Sequence, residues 1–268
     1  TPVISAVVGQ PYSYDVNATG TPAPTYTLTT HPAGMTIDGS TGLIQWTPQS
    51  SGSFPVALEA TNSAGADAQS FAVEVTVPAS TSSIWNPDGP VGTITGSSSP
   101  AVLGVKFRTD VDGYVTGIKF HKGSVNTGTH TGSLWTRDGT RLGSVTFANE
   151  TASGWQQANF TTPIPVTANT TYIASYYAPN GGYTISRPYF TSAGVDNPPL
   201  HALKSGVDGL NGVYCTSSAS CFPSSSYLGS NYWVDVVFEY NLEPVAPVIT
   251  STPVISAVVG QPYSYDVN

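Results

Sequence analysis

Asp235 and Glu239 are the carboxylate pair whose spacing could do chemistry. They lie on one predicted strand, and their even spacing puts both on the same face. Two carboxylates hydrolyse a glycoside only at particular separations in space, which sequence spacing does not supply. On the polar face of a strand the pair reads as solvated surface. Asp110-Val111-Asp112-Gly113 opens like a calcium loop. No later acidic ligands follow it, and it sits between two predicted strands, so we read it as a hairpin turn. The histidines, His31, His121, His130 and His201, are dispersed with no pair at metal-ligand spacing. There is no G-x-S-x-G elbow, no H-E-x-x-H and no phosphate-cradling glycine loop leading into a helix. The sequence therefore predicts no enzyme, no metal and no cofactor.

Binding chemistry is better represented. Tyr176, Tyr177, Tyr183, Tyr189 and Phe190 cluster in sequence, and exposed on a β-sandwich they would form a platform for stacking sugar rings. The competing reading is that they fill the core, where sandwich aromatics usually lie. Cys215 and Cys221, the only cysteines, flank five residues in CTSSASC. A close pair in a turn-rich chain predicts a disulfide and an oxidising, extracellular or cell-surface compartment. Asn17, Asn149, Asn159 and Asn169 begin N-x-S/T sequons, which arise readily by chance in a chain this rich in Ser and Thr.

The elements that must position these residues are strands. Charged residues make up 9% of the chain, Gly and Pro number 27 and 22, and no window carries a sustained 3.6-residue apolar period. We expect an all-β protein of 268 residues with almost no helix, long enough for two domains. The net charge of −8, without a basic cluster, argues against nucleic acid or an anionic membrane as partner. No apolar run is long enough to span a membrane. Residues 1–78 hold no Lys or Arg, and we read their acidity as solubilising.

Within residues 1–78, Tyr12, Tyr14 and Val16 alternate with polar residues. Similar short runs follow to Val77, separated by turn chemistry such as Asp38-Gly39 and Asn62-Ser63-Ala64-Gly65. About seven short strands in so few residues predict an immunoglobulin-like sandwich. The run GQPYSYDVNATGTPAPTYTLTTHPAGMTIDGSTGLIQWTP, followed by ATNSAG, resembles the putative-Ig, cadherin-like repeats of bacterial surface proteins. That resemblance implies a stalk or spacer, and no calcium-ligand cluster accompanies it.

Residues 79–83, ASTSS, read as a linker. Residues 84–240 carry many evenly spaced strands, with hairpin turns expected at Asp112-Gly113 and Asp138-Gly139. They predict a larger antiparallel sandwich of jelly-roll type. From Thr93 onward this region resembles a bacterial extracellular domain of unknown function, through Gly117-Ile118-Lys119-Phe120, Thr129 to Trp135, Glu150 to Gln156 and Trp233-Val234-Asp235-Val236. The resemblance implies a fold and no activity. Arg187 to Asn231 departs from strand spacing and reads as a long functional loop or interface holding the disulfide. Residues 241–251 read as a Pro-spaced connector.

Thr252 to Asn268 is identical, residue for residue, to Thr1 to Asn17. A fixed period marks a repeat array. Tyr263, Tyr265 and Val267 alternate with Ser264, Asp266 and Asn268, as a half-buried strand does. The sequence therefore predicts one unit of an extracellular fibre or surface stalk, assembling head to tail through this strand with copies of itself. The alternative is a carbohydrate-binding or adhesion module whose partners are glycans.

Overall fold

The computed structural model describes residues 1–85, 93–94, 99–217, 219–241 and Val259. No helix occurs among them. Thr1–Pro78 and Ala79–Asn241 lie in two separate compact units. Residues 242–251 of the connector, and with them Tyr263, Tyr265 and Val267, lie outside the described residues.

The smaller unit is an immunoglobulin-like sandwich of seven strands: β1 (Ser5–Val7), β2 (Tyr12–Asp15), β3 (Thr25–Thr30), β4 (Thr36–Ile37), β5 (Leu43–Trp46), β6 (Gly52–Asn62) and β7 (Gly65–Thr76). One sheet runs β1-β7-β6-β3 and the other β2-β5-β4. Alternation dictates the core: Tyr12, Tyr14, Ile44, Trp46, Val56, Leu58, Val73 and Val75 point inward, while Ser13, Asp15, Gln45 and Glu74 point to water. Strands β6 and β7 form one long hairpin, paired from Gly52↔Val75 to Asn62↔Gly65. Its turn is closed by Asn62, whose Oδ1 accepts from the Ala64 N–H at 2.8 Å.

The larger unit is an antiparallel β-sandwich. Its strands are β8 (Ala79–Ser82), β9 (Thr93–Ile94), β10 (Ala101–Thr109), β11 (Gly113–Lys122), β12 (Thr131–Thr136), β13 (Arg141–Thr146), β14 (Gly154–Val166) and β15 (Tyr172–Ala178). They continue with β16 (Thr184–Ile185), β17 (Val195–Asn197), β18 (Leu200–Ala202), β19 (Val213–Thr216), β20 (Ser225–Ser226) and β21 (Val234–Asn241). One sheet runs β13-β12-β15-β10-β18-β17, with β19 on β10 and β20 on β19. The facing sheet runs β14-β11-β21-β8, and β9 pairs with β16. Phe107, Phe120, Leu134, Tyr176, Phe190, Val236 and Phe238 belong to the core of this unit. Phe120 and Tyr176 stack with centroids 4.1 Å apart.

Three expectations are corrected. Residues 79–83 are not a free linker: Ala79–Ser82 is an edge strand, paired with β21 from Asn241↔Ala79 to Phe238↔Ser82. Asp112-Gly113 is not a hairpin turn. β10 and β11 belong to different sheets, so the turn carries the chain across the sandwich, and Asp112 Oδ1 holds it by accepting from the Ala168 N–H at 2.8 Å. Residues 187–231 are not one long loop. They contribute β17 to β20, and two of these strands share one edge of β10: β19 pairs with Ala101–Gly104 and β18 with Phe107–Thr109.

Candidate functional site

In its first copy, the repeated segment belongs to both sheets of the smaller sandwich. Ser5–Val7 runs parallel to β7, in register Ser5↔Glu74 to Val7↔Thr76. Tyr12–Asp15 then pairs antiparallel with β5, Tyr12 opposite Trp46 and Tyr14 opposite Ile44. Tyr12, Tyr14 and Val16 are buried. The Tyr12 hydroxyl donates to the Val3 carbonyl at 2.7 Å. Its pKa is pushed up to about 12, mainly by burial and then by Tyr14 nearby. The segment is thus a structural part of its domain, with partners on two sheets. Residues 252–268 carry the same side chains in the same order.

The aromatic group read as a sugar platform is dispersed by the fold. Tyr176 is a core residue, fully buried, and its hydroxyl accepts from Asn126 Nδ2 at 3.2 Å. Burial lifts its pKa far above the ordinary tyrosine value. Tyr177, its neighbour on β15, is half-buried, and Phe190 is buried. Tyr189 packs edge-on against Trp85 and Trp233, at 6.0 and 5.6 Å between centroids. Tyr183 borders a cleft.

That cleft has a volume of about 190 Å³ and gathers Tyr183, Tyr214, Tyr227, Tyr232 and Arg187. Tyr183 meets Tyr232 edge to face at 5.8 Å. The Arg187 guanidinium lies over the Tyr227 ring, 5.6 Å from its centroid. Tyr227 is 52% exposed, whereas Tyr232 is buried, and burial first of all pushes its hydroxyl up to about 12. Each tyrosine comes from a different strand or turn: Tyr183 precedes β16, Tyr214 is on β19, Tyr227 follows β20 and Tyr232 precedes β21. Cys215 and Cys221 are joined by a disulfide, so β19 is stapled to the turn beyond it at the residue next to Tyr214. Tyr214, Tyr227, Tyr232 and Arg187 were not singled out by sequence reasoning. The available signal was the number of tyrosines within a segment read as a loop.

The candidate carboxylates separate. Alternation gives the right face for Asp235 but not its surroundings: it is fully buried rather than solvated. Its Oδ1 accepts from the N–H groups of Ile84, at 2.6 Å, and Val236, at 2.8 Å, and Lys119 Nζ lies 3.3 Å from Oδ2. Burial raises its pKa, opposed by Lys119 and by the two backbone donors. Glu239 is half-buried and borders a different cleft, beside Asp112 and Tyr114. Among the described residues no group of His, Cys, Asp and Glu is arranged to hold a metal ion. Asp110, from the calcium-loop-like tetrad, sits 2.8 Å from His201 Nε2, while Asp196 lies 2.7 Å from Nδ1. The carboxylates occupy opposite sides of the imidazole, so the three do not converge. His130 is buried between Glu150 and Asn126, each at 2.8 Å, and burial lowers its pKa. His121 lies 3.2 Å from Thr184 Oγ1, and His31 is exposed. Asn17, Asn149, Asn159 and Asn169 are all exposed.

No curated protein matches the chain. Among solved structures, a putative alpha-galactosidase of Bacteroides fragilis is 22% identical over 27% of this chain and 15% of its own length, with a TM-score of 0.26. A structure described as showing the promiscuous specificity of carbohydrate-binding modules from the β-sandwich superfamily is 12% identical. It covers 87% of this chain and 92% of its own, with a TM-score of 0.30. SGBP-B of the Bacteroides ovatus mixed-linkage glucan utilization locus, in complex with a mixed-linkage heptasaccharide, is 14% identical over 66% of this chain and 50% of its own, with a TM-score of 0.17. Residues 1–78 match the family model described as Putative Ig domain. The model described as Domain of unknown function (DUF4082) matches residues 87–234, more than half of the 268 residues, and the chain belongs to that family.

Proposed function

We propose that this chain is one repeat of an extracellular array, a fibre or surface stalk in which an immunoglobulin-like spacer alternates with a larger β-sandwich. The observation that carries the proposal is the repeated segment. Its first copy places Tyr12, Tyr14 and Val16 in a core shared by two sheets. Burying large side chains of this kind contributes roughly 1.5–3 kcal/mol each. The same residues in the second copy, Tyr263, Tyr265 and Val267, call for an equivalent core, which a further spacer domain supplies. The disulfide supports an oxidising compartment. The reading assigns no catalysis to the chain.

Two linkages satisfy the second copy. In the simpler, which we adopt, Thr252 begins the next spacer of a continuous polypeptide. In the other, the strand inserts into a neighbouring subunit by β-strand addition. Electron microscopy of the native material tests the array itself. Filaments with a regular repeat near the length of one unit are expected, and isolated single units would overturn the proposal.

A further inference from the structure

We propose that the cleft between Tyr183, Tyr214, Tyr227 and Tyr232 binds a pyranuronate, a six-membered sugar ring bearing a carboxylate, as one unit of an acidic polysaccharide. The cleft pairs aromatic faces with a cation. Tyrosine rings offer flat apolar surface for the C–H face of a pyranose, with hydroxyls at their ends for its polar rim. Tyr227, 52% exposed, is the accessible ring. Tyr183 and Tyr232, held edge to face at 5.8 Å, are the fixed wall. The Tyr232 hydroxyl, pushed up to about 12, stays neutral and serves as both donor and acceptor.

Arg187 selects the charge. It is exposed, it lies over Tyr227, and no carboxylate pairs with it among the described residues. Among the described residues no Asp or Glu lines the cleft, although acidic residues outnumber basic ones 16 to 8 in the chain. A planar guanidinium of this kind recognises a carboxylate through two parallel N–H bonds. Size selects a single unit: about 190 Å³ is well below the roughly 300–1,000 Å³ of pockets that enclose larger ligands. The disulfide between Cys215 and Cys221 contributes by holding β19, so that Tyr214 is already in position before the ligand arrives.

The cleft is independent of the array reading, since a monomeric chain could bind uronate and an array could bind nothing. The test is calorimetric titration of the full chain with tetramers of galacturonate, glucuronate, mannuronate and guluronate, with cellotetraose as the neutral comparison and sodium acetate as the bare anion. At least one uronate tetramer should bind ten times more tightly than cellotetraose, acetate should not compete, and raised salt should weaken binding. Arg187→Gln should reduce uronate affinity at least tenfold, and Tyr227→Ala should reduce it by a similar factor. Both side chains are exposed, so equal melting temperatures will show that the variants are folded. The proposal is overturned if no uronate binds, if cellotetraose binds as well as the best uronate, or if Arg187→Gln leaves affinity unchanged.

Discussion

The side-chain amide of Asn211 completes the backbone pairing of Lys106. Lys106 N donates to Asn211 Oδ1 at 2.8 Å, and Asn211 Nδ2 donates to the Lys106 carbonyl at 3.0 Å. This happens where the edge of β10 passes from one partner strand to the other, Gly104 facing Val213 and Phe107 facing Ala202. Asn211 Nδ2 also donates to the Leu203 carbonyl at 2.6 Å, and the Gly212 N–H donates to Oδ1 at 2.7 Å. One fully buried amide thus stands in for a missing strand residue. Gly212 beside it has φ 68°, and a Cβ there would collide with the Ser230 carbonyl.

Asn211→Leu should therefore strip partners from several buried backbone groups at once. At roughly 1–3 kcal/mol for each group left unsatisfied, the larger unit should lose about 3 kcal/mol or more. Urea unfolding followed by tryptophan fluorescence measures it, and a loss below about 1 kcal/mol would mean that water replaces the amide.

The disulfide should matter more to the cleft than to the fold. A ring closed over a sequence separation of 6 contributes only about 2 kcal/mol by loop-closure entropy. Cys215→Ser with Cys221→Ser should leave the larger unit folded, its unfolding free energy lowered by that amount. Intact-mass measurement before and after alkylation of the native protein checks the bridge itself, and two alkylatable thiols would remove it.

His201 should make stability depend on pH. Burial alone would lower its pKa, but the two carboxylates, Asp110 and Asp196, together outweigh that, and the pKa rises above the ordinary 6.5. A base whose folded pKa is raised binds its proton more tightly in the folded state. The added stability is complete below about 6.5 and is lost as pH rises through the folded value. Melting temperatures from pH 5 to 9 should fall across that window, and His201→Gln should flatten the fall. An unchanged slope in the variant would show that the imidazole does not hold the two carboxylates.

The smaller sandwich was legible because its signals are local. Tyr12, Tyr14 and Val16 alternate cleanly, and Asn62 to Gly65 spells out its own turn. What sequence did not show depends on partners far along the chain. Asp112-Gly113 has hairpin chemistry, but a turn does not say which sheet the next strand joins. Strands β17 to β20 are two to four residues long, too short to display a period, and they exist because β10 offers an edge and Asn211 fills the gap in it. Asp235 obeys its alternation, yet a period of two assigns a face and not what covers it. Here the Ile84 backbone does. The tyrosine cleft was missed for the same reason: its rings meet in space from four separate places in the sequence.

The repeated segment yields a prediction for each copy. Tyr12→Ala, by removing a buried aromatic side chain, should destabilise the smaller sandwich by about 3–5 kcal/mol. Tyr265→Asp, at the position equivalent to Tyr14, should leave the melting of both described units unchanged and unfold the spacer that follows, because it places an unpaired charge in the core of that spacer. Calorimetry of a chain extended through a complete second spacer separates the two effects, and an unchanged melt of that spacer in the Tyr265→Asp chain would count against the assigned role.

Denaturing electrophoresis of the native material, boiled and reduced, tests the central claim most directly. A continuous polypeptide of repeats stays many times the mass of one unit under those conditions, and that is the result we predict. Material that collapses to a single band at the mass of one repeat would contradict the covalent array.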